Sequence, residues 1–226
     1  MSEHQCLIET RNLNVFHYSG AVLARKHYVL KNFTMHIHSG EIIGLSGESG
    51  CGKSSLGKSI LNLIPTWEGD IYWNGMNIRN KDLRPYRRNY GWMSQEPFLI
   101  FNPRRKIIDS LQESLSVHHM AATTDETITV LEPFLQNMSL EKNLLFRYPF
   151  ELSGGQIQRL SLLRILSLQP QFVVLDEPTS SLDPISQKQI VELILHYHSV
   201  FHMSILWISH SVSFLEKNAH TIHRLE

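Results

Sequence analysis

The chain reads as an α/β fold with a mostly helical lobe set between two parts of one parallel sheet. Three observations predict this. Short apolar runs at 42–46, 172–175 and 204–208 have the composition of strands buried on both faces. A helix-like stretch follows each of these runs, which is the alternation that builds parallel sheets. The middle of the chain, 96–168, changes character and carries helical patterning.

Taken in order, 7–16 and 29–38 are strand-like and free of proline, the second showing partial alternation through Phe33, Met35 and Ile37. A strand at 42–46 leads into a glycine-rich turn and a helix from about Ser54 to Ile64, which Pro65 is expected to end. Strand-like pieces follow at 71–73 and 89–94, joined by an Arg-rich stretch. Helices are expected at 107–119 and 124–135, with Pro133 weakening the end of the second, and again at about 155–168. The last third returns to alternation: a strand ending in Asp176-Glu177, a helix over 185–198, a strand at 204–209, and a short helix before 219–225. The expected division is one domain over 1–226, with a core of 1–95 and 169–226 and a helical lobe of 96–168.

Composition narrows the functional classes. A chain of 226 residues that is 42% hydrophobic and 19% charged is globular in character. Its 21 basic and 21 acidic side chains cancel, so no global field favours nucleic acid, and no nucleic-acid partner is expected. Two cysteines, Cys6 and Cys51, allow neither a disulfide framework nor a four-cysteine metal knuckle. The thirteen histidines are scattered without zinc spacing, so they read as surface or interface residues. No apolar run is long enough to span a membrane, and the first residues lack the order of a signal peptide. A reducing, cytosolic compartment is the expectation.

The chemistry is concentrated in three segments. Gly47-Glu48-Ser49-Gly50-Cys51-Gly52-Lys53-Ser54, followed by Ser55, fits G-x-x-x-x-G-K-[ST] between an apolar strand and a helix. Its backbone amides and the helix N-terminus suit a polyphosphate. Lys53 is expected on the β- and γ-phosphates and the Ser54 hydroxyl on Mg2+. Asp176 and Glu177, at the carboxyl end of a buried strand, supply a magnesium ligand and a residue to orient and deprotonate an attacking water. Leu152-Ser153-Gly154-Gly155-Gln156 opens a helix that Ser153 can cap, and its two glycines let a backbone approach an anion. Read by physics alone, this last segment is also a plain capped helix start.

Together GESGCGKS, LSGGQ and VVLDEP resemble the nucleotide-binding subunit of an ATP-binding cassette (ABC) transporter, and the resemblance covers almost the whole chain. It implies a P-loop NTPase core, an N-terminal antiparallel β subdomain and an inserted helical subdomain. It also implies a Mg-dependent ATPase whose cofactors are ATP and Mg2+, working as a head-to-tail pair. In that pair Ser153, Gly154, Gly155 and Gln156 would meet the γ-phosphate held by the partner. Gln95 in WMSQEP resembles the glutamine that senses magnesium and the attacking water, Ser181-Leu182-Asp183 the loop that packs across the pair, and His210 the histidine on the γ-phosphate. Members usually carry Thr-His-Asp where this chain has Ser209-His210-Ser211. For adenine stacking, family spacing points near His17, flanked by Phe16 and Tyr18; Tyr18 is the favoured ring.

GWMSQEPFLIFNPRRKI is similar to the dipeptide, oligopeptide and nickel importer branch, with Asn102, Pro103 and Arg104 in the region that receives a membrane subunit. The resemblance implies a second ATPase subunit (heterodimer favoured over homodimer), two permease subunits, an extracytoplasmic solute-binding protein, and a peripheral place on the cytoplasmic face of the inner membrane. The short C-terminus is expected to favour nickel or metal chelates over oligopeptides. An exporter subunit, or a soluble ABC-type ATPase of DNA repair or translation, is the alternative.

Overall fold

The computed structural model describes residues 5–19, 25–180 and 182–225. Strands β1 (Cys6–Ser19), β2 (Arg25–His38) and β3 (Ile42–Gly47) lead into helix α1 (Lys53–Ile60). Next come β4 (Trp67–Trp73), β5 (Met76–Asn77) and β6 (Tyr90–Met93), then α2 (Ile107–Val117), α3 (Thr124–Asn137) and α4 (Gly154–Leu166). The chain closes with β7 (Phe172–Asp176), α5 (Pro184–Phe201), β8 (Ser204–Ile208), α6 (Val212–Asn218) and β9 (Thr221–Leu225).

The chain groups into two units. The first holds Met1–Trp92, Gln171–Glu177 and His202–Glu226; the second holds Met93–Pro170 and Pro178–Phe201. The second unit is drawn wider than the 96–168 lobe expected from sequence, because α5 belongs with it. Tyr197 of α5 stacks on Phe134 of α3 at 5.5 Å, and Phe201 packs against both rings. The Asn137 amide also donates to the Tyr197 hydroxyl at 3.3 Å.

The first unit contains an antiparallel sheet in the order β2-β1-β4-β5. Its closing hairpin turns on Asn74-Gly75, both at positive φ (47° and 77°), as a two-residue primed turn requires. The other sheet runs β6-β7-β8-β3-β9, with β7, β8, β3 and β9 mutually parallel along that order. Every residue of β7 and β8 is buried, which is why these strands read as unbroken apolar runs. Helix α1 ends at Ile60, short of Pro65. Asn62 takes the left-handed conformation (φ 50°) and completes a Schellman cap: its N–H donates to Ser59 O, and the Leu63 N–H donates to Lys58 O, both at 2.8 Å.

In the second unit, α3 runs through Pro133 to Asn137. Its apolar face of Leu131, Phe134 and Leu135 is buried, which offsets the hydrogen bond the proline cannot make. Thr123 and Glu126 form a reciprocal capping box at its start. Among the described residues no helix is long and apolar enough to cross a membrane.

Candidate active site

Three neighbouring strands of the parallel sheet, β7, β8 and β3, end on the same side, because parallel strands share one carboxyl edge. The segments that leave that edge are the Gly47–Ser54 loop after β3, Asp176-Glu177 at the end of β7, and Ser209-His210 after β8. Residues far apart in sequence are thereby delivered to one edge by strand order alone.

Gly52 is the N-cap of α1 with φ 96°, and a Cβ there would lie 3.1 Å from the Val29 carbonyl oxygen. A side chain there is strained by the backbone conformation and would also crowd that carbonyl. No side chain caps α1, and its first turn holds no acid, so its leading amides and partial positive charge face outward without an internal anion. This N-terminus fits a phosphate group. Lys53 is 6% exposed, and its ammonium donates to Gly47 O at 2.8 Å and Glu48 O at 2.7 Å, with Cys51 Sγ 3.8 Å away. The lysine is therefore held along the loop rather than extended into solvent.

Asp176 accepts a hydrogen bond from the Ser54 hydroxyl. Burial pushes its carboxyl pKa up, opposed by the Ser54 bond and by the charges of Lys58, Lys53 and His210. A buried carboxylate beside a hydroxyl is an all-oxygen pair suited to a hard cation such as Mg2+, which usually takes one or two carboxylates and fills its remaining positions with water and phosphate. Glu177 sits at φ 49°, a left-handed conformation that costs a non-glycine residue about 1–2 kcal/mol. Its own N–H donates to Ile208 O at 3.1 Å, tying the kink to the end of β8. The Glu177 side chain is largely buried, and its Oε2 lies 2.8 Å from His210 Nε2, whose ring is mostly exposed.

Around His210 the Ser209-His210-Ser211 variation has a structural role. Ser211 caps α6 by accepting from Phe214 N at 3.3 Å, and its N–H donates to Ser209 Oγ at 3.1 Å. A serine hydroxyl thus does the capping for which an Asp is also suited.

The three aromatic positions near the start separate cleanly. Phe16 is 4% exposed and packed edge-on against Tyr18 and tilted against Tyr28, so its ring is committed to the interior. Tyr18 is 59% exposed. His17 Nε2 lies 3.1 Å from Ser55 Oγ in the first turn of α1. Sequence spacing grouped the three; only the fold shows that His17 touches the phosphate-loop helix.

The remaining expected residues fall in the second unit. Gln95 is exposed at the turn after β6. Ser153 and Gln156 form a reciprocal cap: Gln156 N donates to Ser153 Oγ at 3.3 Å and Ser153 N to Gln156 Oε1 at 3.0 Å. A Cβ on Gly154 would meet nothing within 4 Å, and one on Gly155 only Ser186 Oγ at 3.8 Å, so among the described residues nothing demands glycine at either position. Asp183 caps α5 by accepting from the Ile185 and Ser186 amides at 3.0 and 3.1 Å; hydrogen bonding from Ser186 holds its pKa below the usual range. Ser181 lies outside the described residues. Asn102 accepts from the Arg104 amide at 2.9 Å, fixing the turn that contains Pro103, while Phe98 and Leu99 just before it are exposed.

Comparison with known proteins places the chain in a family. The ABC transporter family model matches residues 30–180. The oligopeptide transport ATP-binding protein OppF of Bacillus subtilis is 35% identical over 189 residues, covering 82% of this chain and 62% of that protein. The dipeptide transport ATP-binding protein DppF of Lactococcus lactis subsp. cremoris is 34% identical over 221 residues, covering 96% of this chain and 70% of that protein. With OppF of Haemophilus influenzae, as with the Bacillus protein, the chain spans less than two thirds of the relative's length (56% and 62%). Among solved structures, a dimeric post-hydrolysis state of the ATP-binding cassette MJ0796 bound to ADP and Pi superposes with a TM-score of 0.85 at 24% identity, covering 97% of this chain and 94% of that one. The cassette cbiO1 from Clostridium perfringens, part of the cbiONQ complex, gives 0.79 at 21% identity, covering 98% and 85%. These two likenesses show the fold.

Proposed function

Because this chain belongs to the ABC transporter family, we propose that it binds and hydrolyses Mg-ATP to drive a peptide importer. The observation that carries the reading is the shared strand edge, which gathers Lys53, Ser54, Asp176, Glu177 and His210 within one unit. Lys53 and the amides of the α1 N-terminus bind the β- and γ-phosphates, and Tyr18 stacks on adenine, with His17 beside it. Ser54 and Asp176 hold Mg2+, which when bound neutralises phosphate charge. Glu177 orients the attacking water and takes its proton, and His210 steadies the Glu177 carboxylate and the γ-phosphate.

Two cassettes pair head to tail, so that Ser153, Gly154 and Gly155 of one reach the γ-phosphate held by the other. The open space at Gly154 supports this, since an approach from outside the chain accounts for glycine where nothing inside does. Gln95 senses magnesium and the attacking water, and Asp183 belongs to the loop packed across the pair. The second cassette is a homologous subunit, and two permeases dock near Phe98, Leu99 and Asn102, with a solute-binding protein delivering cargo. The chain then lies peripherally at the cytoplasmic membrane face.

The peptide transport for which OppF and DppF are named supports peptide cargo over nickel or metal chelates, and a Brucella ovis relative named as a putative peptide import ATP-binding protein supports import over export. Affinity purification of the tagged chain from gently solubilised membranes, with mass spectrometry of what accompanies it, tests the reading. Two multi-span permeases and a second cassette are expected. Recovery only with soluble or nucleic-acid-bound proteins, from extracts holding intact membrane complexes, would replace it with the soluble ATPase reading.

A further inference from the structure

The second unit contains a cavity of about 410 Å3, within the range of small-molecule sites, that no residue of the proposed ATP site lines. Asn137 and Met138 at the end of α3, Arg159 of α4, and Glu192, Leu193 and His196 of α5 contribute to its wall. The three α5 residues recur at helical spacing and so share one face. A second cavity of about 290 Å3 also has Arg159 in its wall, together with Gln156.

Arg159 is the distinctive element. It is half-buried, and its guanidinium donates to two backbone carbonyls, Gly155 O at 3.3 Å and Met138 O at 3.4 Å. Among the described residues no carboxylate forms an ion pair with it. The side chain is thus held in place by neutral acceptors while its charge is left for an anion, and a guanidinium fork matches a carboxylate in particular. The same cavity carries an acid. Among the described residues Glu192 pairs with Lys188 alone, at 3.7 Å across an exposed helix surface where such pairs contribute little. Met138 and Leu193 add apolar wall.

We infer that this cavity binds a small zwitterion of the amino-acid or dipeptide class, with its carboxylate on Arg159, its ammonium on Glu192 and its side chain against Met138 and Leu193. The presence of Glu192 argues against a phosphate or other polyanion. The inference goes beyond the transport reading and rests on the cavity alone.

Isothermal titration calorimetry of the whole chain tests it, with L-alanyl-L-leucine, L-leucine and N-acetyl-L-alanyl-L-leucine amide as probes. One saturable site is expected for at least one zwitterion, with the doubly blocked peptide weaker by about tenfold or more. The tighter of the two zwitterions assigns the class. Glu192→Gln, an exposed change on α5, should weaken binding about tenfold, and Arg159→Lys should do the same with its helical circular dichroism unchanged. No heat from either zwitterion up to ~10 mM, equal binding of the blocked peptide, or unchanged binding in Glu192→Gln would overturn the inference. Mg-ATP binding measured on the same samples separates the two readings, since lost peptide binding with intact ATP binding condemns this one alone.

Discussion

Glu177 Oε2 stands 2.8 Å from His210 Nε2, although α5 and β8 separate the two residues in sequence. The contact exists because β7 and β8 are adjacent and parallel, and because Glu177 turns into the left-handed region as β7 ends. If the two side chains act as one unit, their substitutions will not add. His210→Ala is expected to cost at least about tenfold in ATP turnover. The double variant with Glu177→Gln should be about as slow as the slower single variant. Multiplied effects in the double-mutant cycle would show that the residues act independently.

Alkaline stability should depend on Tyr90. Its ring stacks on Trp73 at 3.9 Å, and burial pushes its pKa up to about 12 from 10.0. The folded state therefore keeps this proton where the unfolded chain loses it. The stabilisation is complete below pH 10 and is lost as pH rises towards 12, a contribution on the order of 2–3 kcal/mol. Tyr90→Phe should make the fall in unfolding free energy over that window shallower by about one proton. Urea titrations at several pH values read this directly, and an unchanged slope would exclude Tyr90 as its source.

Gly57 sets how closely α1 lies on the sheet. A Cβ there would come 2.8 Å from Val174 Cγ1 and 2.9 Å from Trp92 Cζ3. Alanine gains about 1 kcal/mol in helix propensity, yet overpacking of this kind costs about 1–3 kcal/mol. Gly57→Ala should therefore lower stability and, by shifting the helix that carries Lys53, weaken ATP binding. Denaturant melts with tryptophan fluorescence would show it, and a more stable variant would mean that the sheet yields freely.

Cys51 offers a chemical probe of the phosphate loop. Its sulfur lies 3.8 Å from the Lys53 ammonium and would sit 2.7 Å from a Cβ on Gly47, so there is little room for an added group. Alkylation confirmed at Cys51 should block ATP binding by bulk. Full binding by the labelled protein would contradict the placement of the phosphates on this loop.

Local signals were legible in the sequence where one strand or turn determines them. The buried strands β3, β7 and β8 announce themselves as apolar runs, and the phosphate loop as glycines in fixed spacing before a lysine. Relations that depend on tertiary packing were not. In the sequence Pro65 marks the end of α1, whereas in the fold Asn62 supplies the left-handed cap earlier. The company α5 keeps depends on Tyr197 and Phe201, i and i+4 on one helix, meeting Phe134 of another helix far away in sequence. In the candidate site, residue types were readable from motifs, but the Glu177–His210 and His17–Ser55 contacts come from strand order and from the approach of β1 to α1.

Glu177 is the residue on which the proposed activation of water depends. The most direct measurement pairs equilibrium Mg-ATP binding with ATP turnover in the purified membrane complex, for the native protein and Glu177→Gln. The variant should bind Mg-ATP with near-native affinity while turnover falls by roughly 100-fold or more, as expected when a positioned base is lost. Near-native turnover with intact binding would contradict that role and move the chemistry to another group.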